Sequence, residues 1–233
     1  MKLRRVDLGM YVRAIPLLLR HPSILAMPVL AGVVDWAVGE ISPFLTDAVG
    51  GAGAWIFQIV VQLVYGLAFG IAVIQASNAW RGRHATFDEA WEEGRRKWGG
   101  IVLAAIGFYF IVYAGAYVGS LIGVPLLGIA LQVVAAFFLI YSIPAAAIGG
   151  LPGSLALSAS IRAVRSDALG AAILAIVFVA LWYELVQYVP ALPLGSNPAV
   201  YGLAIAAVRA LVLGYLAFPF AKQYDDVAFR GLW

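Results

Sequence analysis

One cation lies in the middle of an apolar run near the carboxyl end of the sequence. Residues 198–221 contain Arg209 and no other charged residue. About 20 apolar residues cross a bilayer, so this run is long enough to do so. A charge at that depth costs at least about 2.5–3.5 kcal/mol on insertion scales, and such residues are candidates for substrate or ion sites. Another apolar segment must therefore provide a partner for Arg209.

Two carboxylates in other apolar runs are the candidate partners. Counted from the outer ends of their runs at about 1.5 Å per residue, Asp35 and Glu184 lie about 10 Å deep, and Arg209 lies about 16 Å deep. A guanidinium is long enough to bridge that difference. Amides at similar depths complete a predicted polar cluster: Gln58, Gln62 and Gln132. The cluster is either an ion pair that fixes helix packing or a polar cavity that binds a substrate or ion.

The residue types exclude several other chemistries. The chain has no cysteine, which excludes disulfides, thiolate metal sites and iron–sulfur clusters. His21 and His84 lie outside the apolar runs and have no partner at metal-ligand spacing. The sequence contains no HExxH, no GxSxG and no phosphate loop. We therefore predict no catalytic residue, no metal and no cofactor, and we expect that the protein is not an enzyme.

The composition predicts an all-α integral membrane protein. The chain of 233 residues is 64% hydrophobic and 12% charged, whereas soluble domains carry roughly 25% charged residues. We predict one membrane domain, residues 1–233, with six transmembrane helices in three hairpins. The predicted spans are 22–41, 54–80, 99–122, 125–147, 168–189 and 198–221, with a turn-rich outer loop at 42–53.

Three basic amphipathic segments precede the outgoing spans. They are residues 2–20, 87–98 and 152–167, and each is expected to form a helix in the cytoplasmic membrane interface. In the second segment, Thr86 and Glu89 fit a capping box that starts the helix. The predicted anchors are Phe87, Trp91, Trp98, Arg95, Arg96, Lys97, Arg162 and Arg165. Their most direct partners are anionic lipid headgroups.

The distribution of basic residues sets the orientation. Of the 15 Lys and Arg, all but Arg209 lie before the first span, between spans two and three, between spans four and five, or after span six. The positive-inside rule then places both termini in the cytoplasm. The net charge of +3 gives no support to a nucleic-acid partner. The three units of basic helix, outgoing span and returning span also predict internal repeats at 1–80, 81–149 and 150–223.

Small residues recur at helical spacing in the second and third spans. Gly66 and Gly70 are four residues apart, and Gly107, Gly115, Gly119 and Gly123 share one face. Such residues let two helices approach closely. We expect them to pack within the bundle rather than to form an oligomer seam.

Two stretches resemble a known family. They are TFDEAWEEGRRKWGG, residues 86–100, and IPAAAIGGLPGSLALSASIRAVRSDALG, residues 143–170. Both are similar to the six-helix membrane domain of glycerophosphoryl diester phosphodiesterases and of related uncharacterised bacterial inner-membrane proteins. The resemblance implies a bacterial inner-membrane location. In those enzymes a separate soluble metal-binding barrel does the catalysis, and these 233 residues contain no such barrel, so the resemblance implies no catalytic residue.

Two functions remain after these exclusions. The first is a non-catalytic membrane protein that organises lipid, a protein partner or further copies of itself through its interfacial basic helices. The second is a transporter or permeation path that uses the predicted polar cluster in the outer half of the bundle. A lipid-modifying enzyme is disfavoured because no nucleophile–base pair is present.

Overall fold

A computed structural model describes residues 7–185 and 197–228, with the backbone but not the side chains of 45–56, 58, 184 and 198. These residues form helices and short connections, without strands. A 3₁₀ turn, Pro22–Leu25, follows the first helix, and a π-helical turn, Ala180–Glu184, follows the seventh. The α-helices are α1 Gly9–Arg20, α2 Ala26–Trp80, α3 Phe87–Ile122, α4 Pro125–Leu139, α5 Ser142–Ala147, α6 Gly153–Ser166, α7 Ala168–Val179 and α8 Pro198–Ala228.

Five segments are long and apolar enough to cross a membrane. They are Pro22–Phe44, Ile59–Trp80, Phe87–Ile122, Pro125–Ala147 and Ala199–Ala228. A sixth is added if α6 and α7, which meet at a bend of 118°, are counted as one span. The predictions of an all-α chain and of a multi-pass membrane protein are confirmed. The predicted fifth span, 168–189, ends outside the described residues.

The α2 helix doubles back on itself. Its Tyr65 hydroxyl donates a hydrogen bond of 2.8 Å to Asp35 Oδ2, although 30 residues of straight helix would separate them by about 45 Å. Gln75 Nε2 likewise donates to Ser23 Oγ at 2.7 Å. The chain therefore reverses between Asp35 and Tyr65, and the two halves of α2 run side by side. The predicted loop at 42–53 falls within this reversal, but its backbone is helical rather than irregular; each glycine there costs only about 1 kcal/mol in a helix.

The α3 helix joins the predicted interfacial segment to the third span. Thr86 Oγ1 accepts a hydrogen bond of 3.4 Å from the Glu89 backbone N–H and caps the start of the helix. The helix then continues for 36 residues to Gly123, whose φ of 72° suits a glycine C-cap. The separate helix expected at 87–98 is therefore wrong, because nothing between Trp98 and Gly100 interrupts the backbone hydrogen bonds.

A serine from α6 satisfies the backbone at the break between α4 and α5. Pro144 has no N–H, and the helix is interrupted at Ile140 and Tyr141. Ser160 Oγ accepts a hydrogen bond of 3.0 Å from Tyr141 N–H and donates one of 2.9 Å to the Phe138 carbonyl. Polar backbone groups in an apolar region need such partners. Ser160 is fully buried for this reason, which sequence periodicity did not predict.

Glycines bring α3 against its neighbours. A Cβ at Gly66 would collide with the Ala105 Cβ, and one at Gly70 would lie 2.5 Å from Ile101. A Cβ at Gly119 would likewise collide with the Gly128 backbone of α4. These glycines pack within the chain, and Gly123 caps the helix instead of sharing their contact.

Candidate functional site

An ion pair joins α8 to the first half of α2. Arg209 Nη1 donates a hydrogen bond to Asp35 Oδ2, and the same oxygen accepts the Tyr65 hydroxyl at 2.8 Å. The Arg209 and Asp35 side chains keep exposed fractions of 24% and 17%. Removing one member of such a pair leaves an uncompensated charge, at a typical cost of about 3–5 kcal/mol.

Two aromatic rings cover the guanidinium. The Arg209 Cζ lies 5.9 Å from the centre of the Tyr65 ring and 5.8 Å from that of Trp182. The two rings meet edge to face, with centroids 5.1 Å apart. Cation–π contacts contribute about 2 kcal/mol or more when desolvated. Tyr65 therefore acts twice, as a hydroxyl donor to the carboxylate and as a ring beside the cation.

Further tyrosines extend the polar cluster along α3. Gln62 Nε2 donates a hydrogen bond of 3.2 Å to the Tyr113 hydroxyl. The Tyr113 ring meets that of Tyr183 at 5.5 Å, and the Tyr109 ring lies 6.3 Å from Trp182. We call these residues, together with the ion pair, the Arg209 cluster: Asp35, Gln62, Tyr65, Tyr109, Tyr113, Trp182, Tyr183 and Arg209.

Five parts of the chain position this cluster. Asp35 comes from the first half of α2, and Gln62 and Tyr65 come from its second half. The α3 helix provides Tyr109 and Tyr113, which are one turn apart and so share a face. The α8 helix provides Arg209. The π-helical turn after α7 provides the adjacent pair Trp182 and Tyr183. The cluster therefore links the predicted first, second, third, fifth and sixth spans.

The structure brings together part of the predicted polar cluster. Asp35 pairs with Arg209, and Gln62 joins them through Tyr113. Gln132 is buried on α4 against Gly115, and none of the described contacts connects it to Arg209. The side chains of Gln58 and Glu184 lie outside the described residues.

Sequence reasoning missed the aromatic members of the cluster. Tyr65 follows Gln62 by three residues and Tyr113 follows Tyr109 by four, so each pair lies on one helix face. This spacing was available as a signal. The signal is not specific, because tyrosine is also common at membrane interfaces, where it needs no charged partner.

The opposite end of the bundle carries the predicted anchors. A groove of about 240 Å³ lies between α2 and α3, lined by Leu67, Ile71, Trp91, Arg95 and Trp98. Arg95 pairs with Glu92 at 3.0 Å, and both side chains are largely exposed. Phe87 stacks on Trp91, with ring centres 6.3 Å apart.

The remaining basic anchors differ in their surroundings. Arg96, Arg162 and Arg165 are exposed. Lys97 is partly buried, because its Nζ donates to Glu93 at 2.5 Å and to the Ala147 carbonyl at 2.8 Å. A cation at the last carbonyls of a helix is favourable. Lys97 therefore holds α5 against α3 within the protein.

Hydrogen bonds join the connections at this end. Asp225 of α8 accepts from Arg81 at 2.8 Å and from Ser77 at 3.0 Å. Two residues earlier, Gln223 Nε2 donates to Asp167 at 3.2 Å. The α2–α3 and α6–α7 connections therefore meet at the end of α8. The basic residues beside these connections lie at one end of the bundle.

Comparison with known proteins finds no matching family model, no matching curated protein and no matching solved structure. The resemblance to the phosphodiesterase membrane domain stays a prediction.

Proposed function

We propose that this chain is a non-catalytic inner-membrane protein of bacteria that binds anionic phospholipid at its cytoplasmic end and organises lipid there. The groove between α2 and α3 carries this proposal. Its α2 side is aliphatic, and its α3 side carries two tryptophans and the one charge among its lining residues, Arg95. An acyl chain would lie along Leu67 and Ile71, while the phosphate replaces Glu92 as the partner of Arg95.

The exposed pairing of Arg95 supports an anionic ligand in the groove. The Arg95–Glu92 pair is exposed, and such pairs contribute about 1 kcal/mol or less, so exchange for a phosphate costs little. Trp98 is 61% exposed beside this guanidinium. Indole rings favour the headgroup level of a membrane, which supports a position of Arg95 near the lipid phosphates. Exposed Arg96 adds positive charge on the same turn.

The topology that we propose has three hairpins with both termini in the cytoplasm. The cytoplasmic end carries α1, the start of α3 and α6, and their basic residues follow the positive-inside pattern. The 118° bend between α6 and α7 supports α6 as a helix that lies across the direction of its span. The side-by-side halves of α2 support the first hairpin.

The test compares two arginines that precede the same span. Arg95→Gln removes the charge in the groove, and Arg83→Gln removes an exposed charge in the α2–α3 connection outside it. A basic residue near an anionic membrane contributes roughly 1 kcal/mol, or about fivefold in affinity. We expect Arg95→Gln to retain about fivefold less phosphatidylglycerol by native mass spectrometry, with Arg83→Gln close to wild type. Equal retention by both variants would contradict a groove-specific site.

A transporter or permeation path is the second candidate function. The observation that favours it is the Arg209 cluster, a charged and hydroxyl-rich site inside an apolar bundle. Uptake or leak in proteoliposomes separates the two functions. If a folded Arg209 variant shows less uptake or leak than wild type, the result supports transport. If its uptake or leak is unchanged, the result supports the lipid-binding function alone.

A further inference from the structure

The Arg209 cluster contains buried hydrogen-bonding atoms that the protein does not satisfy. Arg209 Nε, the hydroxyls of Tyr109 and Tyr183, and Gln62 Oε1 have no hydrogen-bond partner among the described residues. Leaving a buried polar group unpaired costs about 1–3 kcal/mol. Four such atoms in one cluster would together lower the stability of the fold if they stayed unpaired.

These atoms converge on the ion pair. The Tyr183 ring lies 5.5 Å from that of Tyr113, and the Tyr109 ring lies 6.3 Å from that of Trp182, which covers Arg209. Tyr109 is only 3% exposed, so its hydroxyl cannot turn to the outside. Gln62 reaches the same group through its bond to Tyr113. Three donors and one acceptor without partners therefore belong to one connected cluster.

The π-helical turn is a second feature that points to a ligand. In an α-helix, adjacent residues such as Trp182 and Tyr183 point about 100° apart. The π turn Ala180–Glu184 contains both of them, and both contact the cluster. Single π turns are rare and occur frequently at functional sites. The turn therefore lies at the cluster, where Trp182 contacts Arg209 and Tyr183 adds a second aromatic hydroxyl beside Tyr113.

The charge of the cluster selects the ligand. Among the described side chains of the cluster, Asp35 already balances the charge of Arg209, so the unsatisfied atoms call for a partner without a net charge. The unsatisfied donors need an acceptor oxygen, while Gln62 Oε1 needs a donor. A hydroxyl group does both. We propose that the Arg209 cluster binds a small uncharged hydroxylic molecule, either water or a polyol. This site is separate from the lipid groove and does not rest on it.

The test removes single hydroxyls. If a ligand satisfies them, Tyr109→Phe and Tyr183→Phe each lose a hydrogen bond, and each melting temperature falls by about 2–4 °C. Tyr117→Phe is the matched control, because Tyr117 lies on α3 two turns from Tyr109 and is 60% exposed. It should melt like wild type. If the two buried variants melt at or above the wild-type temperature, the hydroxyls have no ligand and the proposal is overturned.

Added solutes distinguish the two sources of the hydroxyl group. The measured quantity is the melting difference between wild type and Tyr109→Phe in buffer, in glycerol and in phosphate. A difference that grows with glycerol identifies a polyol, and one that is constant in all three solutions identifies water. A difference that grows with phosphate would show an anion at the site and overturn the assignment of an uncharged ligand.

Discussion

At the residue scale, the arrangement around Arg209 shows how an apolar bundle accommodates a full charge. Asp35 neutralises it, the Tyr65 hydroxyl orients the carboxylate, and the rings of Tyr65 and Trp182 cover the guanidinium. Each contact is modest alone. Together they offset much of the cost of inserting this charge, which would otherwise be several kcal/mol.

Tyr65→Phe should separate the two roles of Tyr65. The variant keeps the ring beside Arg209 but loses the hydrogen bond to Asp35, and hydrogen bonds to charged groups contribute about 1.5–3 kcal/mol. We expect a loss of that size in the free energy of unfolding, measured by denaturant titration in detergent micelles. Tyr65→Leu should lose more, because it also removes the ring. Equal stability of wild type and Tyr65→Phe would show that the hydroxyl does not support the pair.

Sequence alone identified the charged residues of this site and not their aromatic neighbours. Arg209 and Asp35 stand out because a charge inside an apolar run needs an explanation. Tyr109 and Tyr183 do not stand out, because an apolar helix accepts a tyrosine ring at many positions. Their role depends on a π turn and on a chain reversal, neither of which leaves a periodic signal in the sequence.

At the element scale, a polar side chain supplies hydrogen bonds to the backbone where a helix is interrupted. Ser160 bridges Phe138 and Tyr141 across the α4–α5 break. Ser160→Ala would leave a buried N–H without a partner, so we expect a loss of about 1–3 kcal/mol in unfolding free energy. The matched control is Ser158→Ala, whose hydroxyl bonds to Leu155 in an exposed setting and should change stability by less than about 0.5 kcal/mol. Equal losses would refute the bridging role.

Glycine positions give a second prediction for the packing of helices. Gly66→Ala would place a Cβ against the Ala105 Cβ, and such overpacking typically costs about 1–3 kcal/mol. Gly99→Ala meets nothing within 4 Å and should gain up to about 1 kcal/mol of helix propensity. Thermal unfolding of the two variants should shift in opposite directions. A stable Gly66→Ala variant would show that α2 and α3 can separate without cost.

The boundaries of the elements were harder to predict than their existence. The fourth span was placed at 125–147, the range that the structure also gives. The turn expected at 42–53 falls where the chain reverses, but the backbone there is helical and Pro43 lies inside a helix. The segment 87–98 did not end at its basic residues, since an amphipathic helix can continue directly into an apolar one.

At the scale of the whole molecule, the connections that carry the basic residues meet at one end of the bundle. A hydrogen bond that Asp225 accepts from Arg81 and one that Gln223 donates to Asp167 join the α2–α3 and α6–α7 connections to α8. This common end is what the positive-inside rule expects of a cytoplasmic surface. The charge pattern predicts a common basic end, and the side of the membrane that this end faces stays a prediction.

The proposed topology has a direct test, because the chain contains no cysteine. Single cysteines at exposed positions, Arg96→Cys, Arg165→Cys and Asn197→Cys, can be labelled with a membrane-impermeant maleimide. In spheroplasts with an intact inner membrane, only Asn197→Cys should react, and the other two should react after lysis. Labelling of Arg96→Cys before lysis would invert the topology and remove the cytoplasmic lipid site.

The account depends most on the pairing of Arg209 with Asp35, and a double-mutant cycle measures it directly. Arg209→Gln and Asp35→Asn should each lower the free energy of unfolding by up to about 3–5 kcal/mol, because each leaves one partly buried charge alone in an apolar span. The double variant should lose clearly less than the sum, since it leaves no charge. If the two losses instead add to within about 0.5 kcal/mol, the residues do not interact and the central claim is contradicted.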